Sequence, residues 1–268
     1  MDMKIVEDDG WDSGAAYERY VGRWSRQVAV KFLDSLDALR GLAWADVGCG
    51  TGALTAAILA RSQPMSIHAL DASQPFIDRA RELIDDARVR FECGNAVQLP
   101  WDVGRFDACV SGLVLNFVPD PAAMVREMAR VTRRGGAVAL YVWDYADGME
   151  MLRVFWDAAA AEDASAAALD EAGRFPICQP EPLRDLFTSA GLQSVAVEAI
   201  EIPTVFPTFD DYWRPFLGKT GPAPAYLASL EDDTVQRIKR RLHARLTAKA
   251  GEPVALTARA WAVRGTVR

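Results

Sequence analysis

The chain has 268 residues, half of them apolar and a quarter charged, the balance of a soluble globular protein with an ample core. Acidic residues outnumber basic ones, 37 to 30, for a formal charge of −7. That balance argues against nucleic acid as the main partner, because phosphate binding rests on a Lys/Arg excess. No apolar run approaches the roughly 18 residues of a membrane-spanning helix, and the acidic start Met1–Gly10 lacks the apolar core of a secretory signal. Cys49, Cys93, Cys109 and Cys178 lie far apart, among apolar neighbours and without a C-x-x-C pair. They read as reduced, buried thiols in a cytoplasmic protein without a metal site.

Trp11 to Leu39 reads as a helix, since Tyr17, Tyr20, Val21, Trp24, Val28 and Phe32 recur at three- and four-residue spacings on one face. That face is either core packing or a flap over the glycine-rich turn at Gly48–Gly52. Leu42, Ala43 and Trp44 lead as a short buried strand into Ala45-Asp46-Val47-Gly48-Cys49-Gly50-Thr51-Gly52-Ala53. Leu54, Ala57 and Ile58 leave it with helical spacing. Strand, glycine-rich turn and helix in that order open a doubly wound α/β sheet, which binds ligands at the carboxyl ends of its strands. Ile67 to Leu70 is a second strand ending in Asp71, after which Ser73 caps a helix with Phe76, Ala80 and Ile84 inward. Val89–Cys93 is a third strand, leading to Gly94-Asn95-Ala96, and Phe106–Ser111 a fourth. Asp120-Pro121 opens a helix whose apolar face is Met124, Val125, Met128 and Val131. Arg133 and Arg134 suit its negative end, and Gly135-Gly136 stops it. Ala137–Val142, apolar throughout, is a fifth strand covered on both faces. Five β/α repeats in about 145 residues are the rhythm of a parallel sheet.

The second half is less regular. Met149 to Ala161, Ala164 to Ala172 and Glu181 to Ala190 read as helices, Val195 to Ile202 as a strand, Val235 to Leu246 as a helix and Val254 to Val263 as a last strand. The stretch Pro203–Glu252, about 50 residues between two strands, is long for a connection and has the length of a functional lid.

Asp71 stands 19 residues beyond Gly52, at the end of the next strand. An acid about 20 positions on is where nucleotide-binding sheets hold ribose hydroxyls, two oxygens against two hydroxyls. A turn residue is the bland alternative. Gly48 to Ala53 also satisfies the dinucleotide pattern G-x-G-x-x-G/A, which leaves a nicotinamide-type oxidoreductase open. Three features point elsewhere: Asp46 two residues before the first glycine suits an ammonium better than a pyrophosphate, the glycines run G-x-G-x-G, and no tyrosine has a lysine four residues later. The histidines offer no clear base. His68 lies within a strand as a core residue, and His243 lies on a basic, amphipathic helix face. Asp144, after the fifth strand, is the only candidate base, with a turn role as the alternative. Asn116-Phe117-Val118-Pro119 ends the fourth strand without the Pro-Pro-aromatic arrangement of nucleic-acid amino-methylating enzymes.

From Asp46 through Gly136 the chain resembles the class I S-adenosylmethionine-dependent methyltransferases, in detail the small-molecule branch of the ubiquinone/menaquinone-biosynthesis type. Asp46 to Gly52 looks like that family's first motif, Asp71 like its ribose-binding acid, and Gly94-Asn95-Ala96 with Leu99-Pro100 like its adenine-side motif. Phe106-Asp107-Ala108 looks like its fourth strand and Arg134-Gly135-Gly136 like the turn before its fifth. Asn95 departs from the pattern, standing where an acid is usual. Arg134 replaces a proline.

The resemblance implies an α/β fold: a doubly wound, mostly parallel seven-stranded Rossmann-like sheet with an inserted helical cap. It implies a helical flap at 1–40, a cofactor-binding core at 41–145, a helical insertion at 146–190, closing strands at 191–202 and 253–268, and an aromatic-rich cap at 203–252. The cofactor is then S-adenosylmethionine, held by Asp46, Gly48, Cys49, Gly50, Gly52, Asp71, Ala72, Asn95, Ala96 and Ser111. Tyr17, Tyr20 or Trp24 would lie over the sulfonium, and Arg23 would pair with the methionine carboxylate. The acceptor is a small, rather apolar metabolite lined by Trp143, Phe175, Tyr212, Trp213 and Phe216. A nicotinamide oxidoreductase and a non-catalytic nucleotide-binding module are the rivals.

Overall fold

The computed structural model describes residues 22–36, 40–218, 221–247 and 252–268. The strands are β1 Ala43–Val47, β2 Ser66–Asp71, β3 Val89–Cys93, β4 Phe106–Gly112, β5 Thr132–Trp143, β6 Gln193–Phe206 and β7 Val254–Thr266. They form one seven-stranded sheet in the order β3-β2-β1-β4-β5-β7-β6. The pairs β1–β2, β2–β3, β1–β4 and β4–β5 are parallel, and β5–β7 is antiparallel. The doubly wound α/β expectation is met. Because β1 pairs with both β2 and β4, the chain turns opposite ways on leaving it, and the carboxyl end of β1 is the switch point where such sheets open a crevice.

The chain divides into two compact units. One comprises Trp24–Asp144, Pro176–Ile202 and Arg259–Arg268; the other comprises Tyr145–Phe175 and Pro203–Ala258, with Arg23. The helix Pro180–Ser189 therefore falls with the sheet rather than with a helical insertion at 146–190. So does Trp24–Leu36, most of the described part of the 1–40 segment. In the sheet unit, Val28 and Phe32 of the helix Arg23–Ser35 are fully buried, and Phe32 lies 4.6 Å from the Tyr141 ring. The central strands are covered on both faces, with Trp44, Val47, Ile67, Val110 and Val138 inaccessible to solvent.

In the second unit, helix Glu150–Glu162 packs Phe155 flat on Phe216 at 4.5 Å. Tyr212 is fully buried and its hydroxyl donates to the Met151 carbonyl at 3.0 Å. Helix Asp232–Leu246 buries Ile238 and Leu242, while Arg237 and Arg241 both reach Glu162 and Arg245 reaches Asp157. The basic run is thus a solvated face tied to acidic neighbours.

Several local readings need correction. Ile77, not Phe76, goes inward with Ala80, and Ile84 closes the helix Gln74–Leu83 at its C-cap, partly exposed. The fourth helix ends at Val131, ahead of Gly135-Gly136, which lie inside β5; Arg133 pairs there with Asp107 of β4. Asn116 is not at the end of β4: it sits in a 3-10 turn, Leu115–Phe117, beyond that strand. The segment 164–172 is not one helix but a 3-10 turn and the start of the short helix Glu171–Arg174. Cys93 is exposed, whereas Cys49, Cys109 and Cys178 are buried free thiols as expected. Tyr17, Tyr20 and Val21 lie outside the described residues.

Candidate functional site

The carboxyl end of β1 is shaped by the loop that leaves it. Gly48 and Cys49 donate their N–H groups to the Leu70 carbonyl, at 2.7 and 3.0 Å, which draws the loop onto the end of β2. There Asp71 fixes it further. Its Oδ2 accepts from the Gly50 N–H at 2.9 Å and its Oδ1 from the Ser73 N–H at 2.9 Å. The carboxylate, rather than the Ser73 side chain, anchors the start of the next helix, because Ser73 makes no side-chain cap bond. Burial raises the Asp71 pKa, and the two N–H donors pull it back.

The glycines of the loop have distinct reasons. A Cβ at Gly48 would stand 2.5 Å from the Val114 side chain, and one at Gly52 would stand 2.6 Å from Ile84. Those two sites are filled by the protein itself. A Cβ at Gly50, where φ is +53°, would meet nothing within 4 Å. Of the three, only Gly50 leaves backbone open to a ligand, so the expected close approach at Gly48 is taken by Val114 instead. Gly52 caps the helix Ala53–Ser62 without any side chain, leaving first-turn N–H groups suited to a carboxylate.

Asp46 lies beneath this loop and is fully buried. Its Oδ2 accepts from the Thr55 hydroxyl at 2.6 Å, while its buried Oδ1 has no hydrogen-bond partner. Desolvation pushes the pKa up to about 7, the Thr55 bonds lowering it and the Asp71 charge raising it. A buried carboxylate with one oxygen unsatisfied is complementary to a cation. Cys49, between the two acids, is held as a thiol by burial and by both carboxylates. Ser111, near the end of β4, is also buried with an unpartnered hydroxyl.

The other expected site residues have more ordinary surroundings. Asn95 is exposed and its Oδ1 accepts from the Val97 N–H at 3.0 Å, a local turn, and Ala96 follows it. Ala72 is exposed next to Asp71, its carbonyl 3.5 Å from the Cys93 thiol. Arg23 pairs with Asp211 at 3.4 Å and lies over the Phe206 ring at 4.5 Å. Asp144 is buried and receives Gln179 at 3.2 Å and Arg259 at 3.3 Å. Trp143 is buried in β5. Tyr212, Trp213 and Phe216 pack on one another as core of the second unit, and Phe175 lies against Tyr145 at 5.2 Å. Tyr20 lies outside the described residues. His68 is a bonded core residue, with Glu92 at 3.1 Å and Arg105 at 3.3 Å. Sequence reading missed Thr55, nine residues beyond Asp46, and the turn carrying Val114. No group of His, Cys, Asp and Glu among the described residues could hold a metal ion, and no described helix is long and apolar enough to cross a membrane.

Two features at this end of the sheet are compatible with S-adenosylmethionine: an unsatisfied buried carboxylate, complementary to an ammonium, and bare backbone at Gly50. Residues 45–140 match the family model described as "Methyltransferase domain". The rice chloroplastic 2-methyl-6-phytyl-1,4-hydroquinone methyltransferase 2 is 33% identical over 120 residues, 44% of this chain and 34% of that protein. The demethylmenaquinone methyltransferase of Shouchella clausii is 34% identical over 110 residues, 40% of this chain and 47% of that one. The match thus spans less than half the length of either relative. Phosphoethanolamine N-methyltransferase 2 of Haemonchus contortus, solved in complex with S-adenosyl-L-methionine, shares the fold with a TM-score of 0.61 over 98% of this chain and 60% of that one, at 15% identity. Over residues 45–140 the chain thus carries a methyltransferase domain of the S-adenosylmethionine-dependent type, and quinone methyltransferases are among the proteins it is similar to.

Proposed function

We propose that this protein transfers a methyl group from S-adenosylmethionine to a small, rather apolar metabolite, on oxygen, carbon or nitrogen. The observation that carries the reading is the buried Asp46 carboxylate, satisfied on one oxygen only, under a loop that Asp71 pins in place. In this reading Asp46 Oδ1 receives the methionine ammonium and the backbone at Gly50 lies along the ligand. Each Asp71 oxygen, after accepting one backbone N–H, keeps a lone pair for a ribose hydroxyl. Ala72, Asn95 and Ala96 border the adenine, Cys49 and Ser111 line the crevice, and Gly48 and Gly52 shape it by their packing. Arg23, already paired with Asp211, is the least suited of the expected contacts.

The cofactor supplies a sulfonium methyl, an electrophile with a good leaving group. The chain's own task is then alignment and exclusion of water. Asp144 stays the candidate base, and its pairing with Arg259 and Gln179 favours a structural role. The apolar acceptor is supported by relatives named for a phytyl hydroquinone and a demethylmenaquinone. The acidic balance of the chain favours a metabolite over a nucleic acid.

Calorimetric titration with S-adenosylmethionine and with NADH tests the cofactor. Binding of NADH alone would return the nicotinamide oxidoreductase. Methyl transfer to a panel of hydroquinones, phenols, amines and acids then tests catalysis. Cofactor binding without transfer to any of them would favour the non-catalytic module.

A further inference from the structure

We propose that Asn116 is the residue that receives the methyl acceptor, and that it selects an uncharged hydroxyl group. The inference rests on the methyltransferase reading. Asn116 lies in the 3-10 turn Leu115–Phe117, which follows β4 at the carboxyl end of the sheet. That turn stands against the glycine loop, because the Val114 side chain fills the place where a Cβ of Gly48 would be. Backbone bonds hold the segment on both sides of Asn116: Leu113 donates to the Tyr141 carbonyl at 2.8 Å, Phe117 to the Val114 carbonyl at 2.9 Å and Val118 to the Leu115 carbonyl at 3.3 Å. Leu113 holds a left-handed φ of +63°, an outlier of the kind that surrounding structure imposes where a site must be shaped.

Within this held segment, the Asn116 side chain stands out. Both Oδ1 and Nδ2 are buried, and neither has a hydrogen-bond partner. A buried amide unsatisfied at both ends costs stability, and an apolar residue of similar shape would avoid the cost. The arrangement is explained by a ligand that offers a donor and an acceptor together. An ammonium would satisfy only Oδ1 and a carboxylate only Nδ2, and neither charge would be compensated by a neutral amide. A hydroxyl donates to Oδ1 and accepts from Nδ2. The charged partner belongs at Asp46 instead, where Oδ1 is a carboxylate oxygen.

The test uses the full chain, 15N-labelled and saturated with S-adenosylhomocysteine, with phenol and anisole as probes that differ by one donor. Phenol is expected to bind saturably and to shift the Asn116 side-chain amide resonances. Anisole should bind about tenfold more weakly, the worth of one hydrogen bond. Asn116→Leu should bring phenol down to the anisole level while leaving the S-adenosylhomocysteine affinity within about twofold of wild type. Should that variant fail to unfold cooperatively, Asn116→Ala is read in the same way. Equal binding of the two probes, or no saturable phenol binding, would overturn the assignment. Loss of S-adenosylhomocysteine binding in a folded Asn116 variant would also overturn it, by making Asn116 a cofactor contact. Wild-type protein that does not bind S-adenosylhomocysteine would instead remove the methyltransferase reading on which the inference stands.

Discussion

Replacing Asp46 by Asn separates what this buried acid costs the fold from what it gives the ligand. Burial moves its pKa from the ordinary 3.8 to about 7. The folded state therefore holds this proton more tightly than the unfolded chain, so stability falls as pH rises between those two values and levels off above about 7. At 1.36 kcal/mol per unit, the full penalty is about 4 kcal/mol at pH 8, and about 2.7 kcal/mol of it accrues above pH 5. Asparagine keeps an acceptor for the Thr55 hydroxyl and carries no charge. Asp46→Asn is thus expected to raise stability without ligand, far more at pH 8 than at pH 5, in denaturant titrations. The same change removes the partner of the ammonium, and affinity for S-adenosylmethionine should drop at least about tenfold by calorimetry. In wild type that affinity should climb from pH 6 to pH 8 as the carboxylate ionises. A variant less stable than wild type at pH 8, or an affinity flat across that range, would refute the reasoning.

The first two glycines of the loop should part company. Gly48→Ala meets Val114 at 2.5 Å from a left-handed φ and is expected to destabilise the fold by about 2–4 kcal/mol, read from thermal unfolding. Gly50→Ala meets no protein atom and should cost the fold only about 1 kcal/mol, while weakening cofactor binding severely. Asp71→Ala, which frees the Gly50 and Ser73 N–H groups, should weaken cofactor binding by about 1–3 kcal/mol in calorimetric titration. Arg259→Ala removes the cation beside the buried Asp144 and should lower stability by about 2–3 kcal/mol, with unchanged cofactor affinity; a loss of affinity would place Asp144 nearer the chemistry.

What could be read from the sequence was what is local. The Asp120-Pro121 start holds because the Asp120 carboxylate accepts from the Ala123 N–H at 2.8 Å within its own turn. The strand–glycine–helix unit and the acid one strand later are likewise short-range patterns, and the structure brings them together in the Gly50–Asp71 hydrogen bond. The errors came where tertiary forces decide. Gly135-Gly136 looks like a helix stop, but pairing of Phe106 with Thr132 and of Asp107 with Arg133 draws the segment into β5 before the glycines are reached. Phe76 and Ile77 are neighbours on a helical wheel, and which one goes inward depends on where the helix begins, here at Gln74. Tyr212, Trp213 and Phe216 read as pocket lining because aromatic residues serve both purposes; the structure uses them to pack one another. That Gly48 makes room for Val114, and that Thr55 holds Asp46, are contacts between side chains brought together only by folding.

The place of β7 has a consequence for assembly. Last of the seven strands in sequence, it stands between β5 and β6 rather than at a margin. During synthesis β5 must wait with one side unzipped, and β6, though already translated, has no neighbour to join until β7 leaves the ribosome. A nascent chain halted before Val254 would thus present two open strand margins, ready to pair with another copy or with a chaperone.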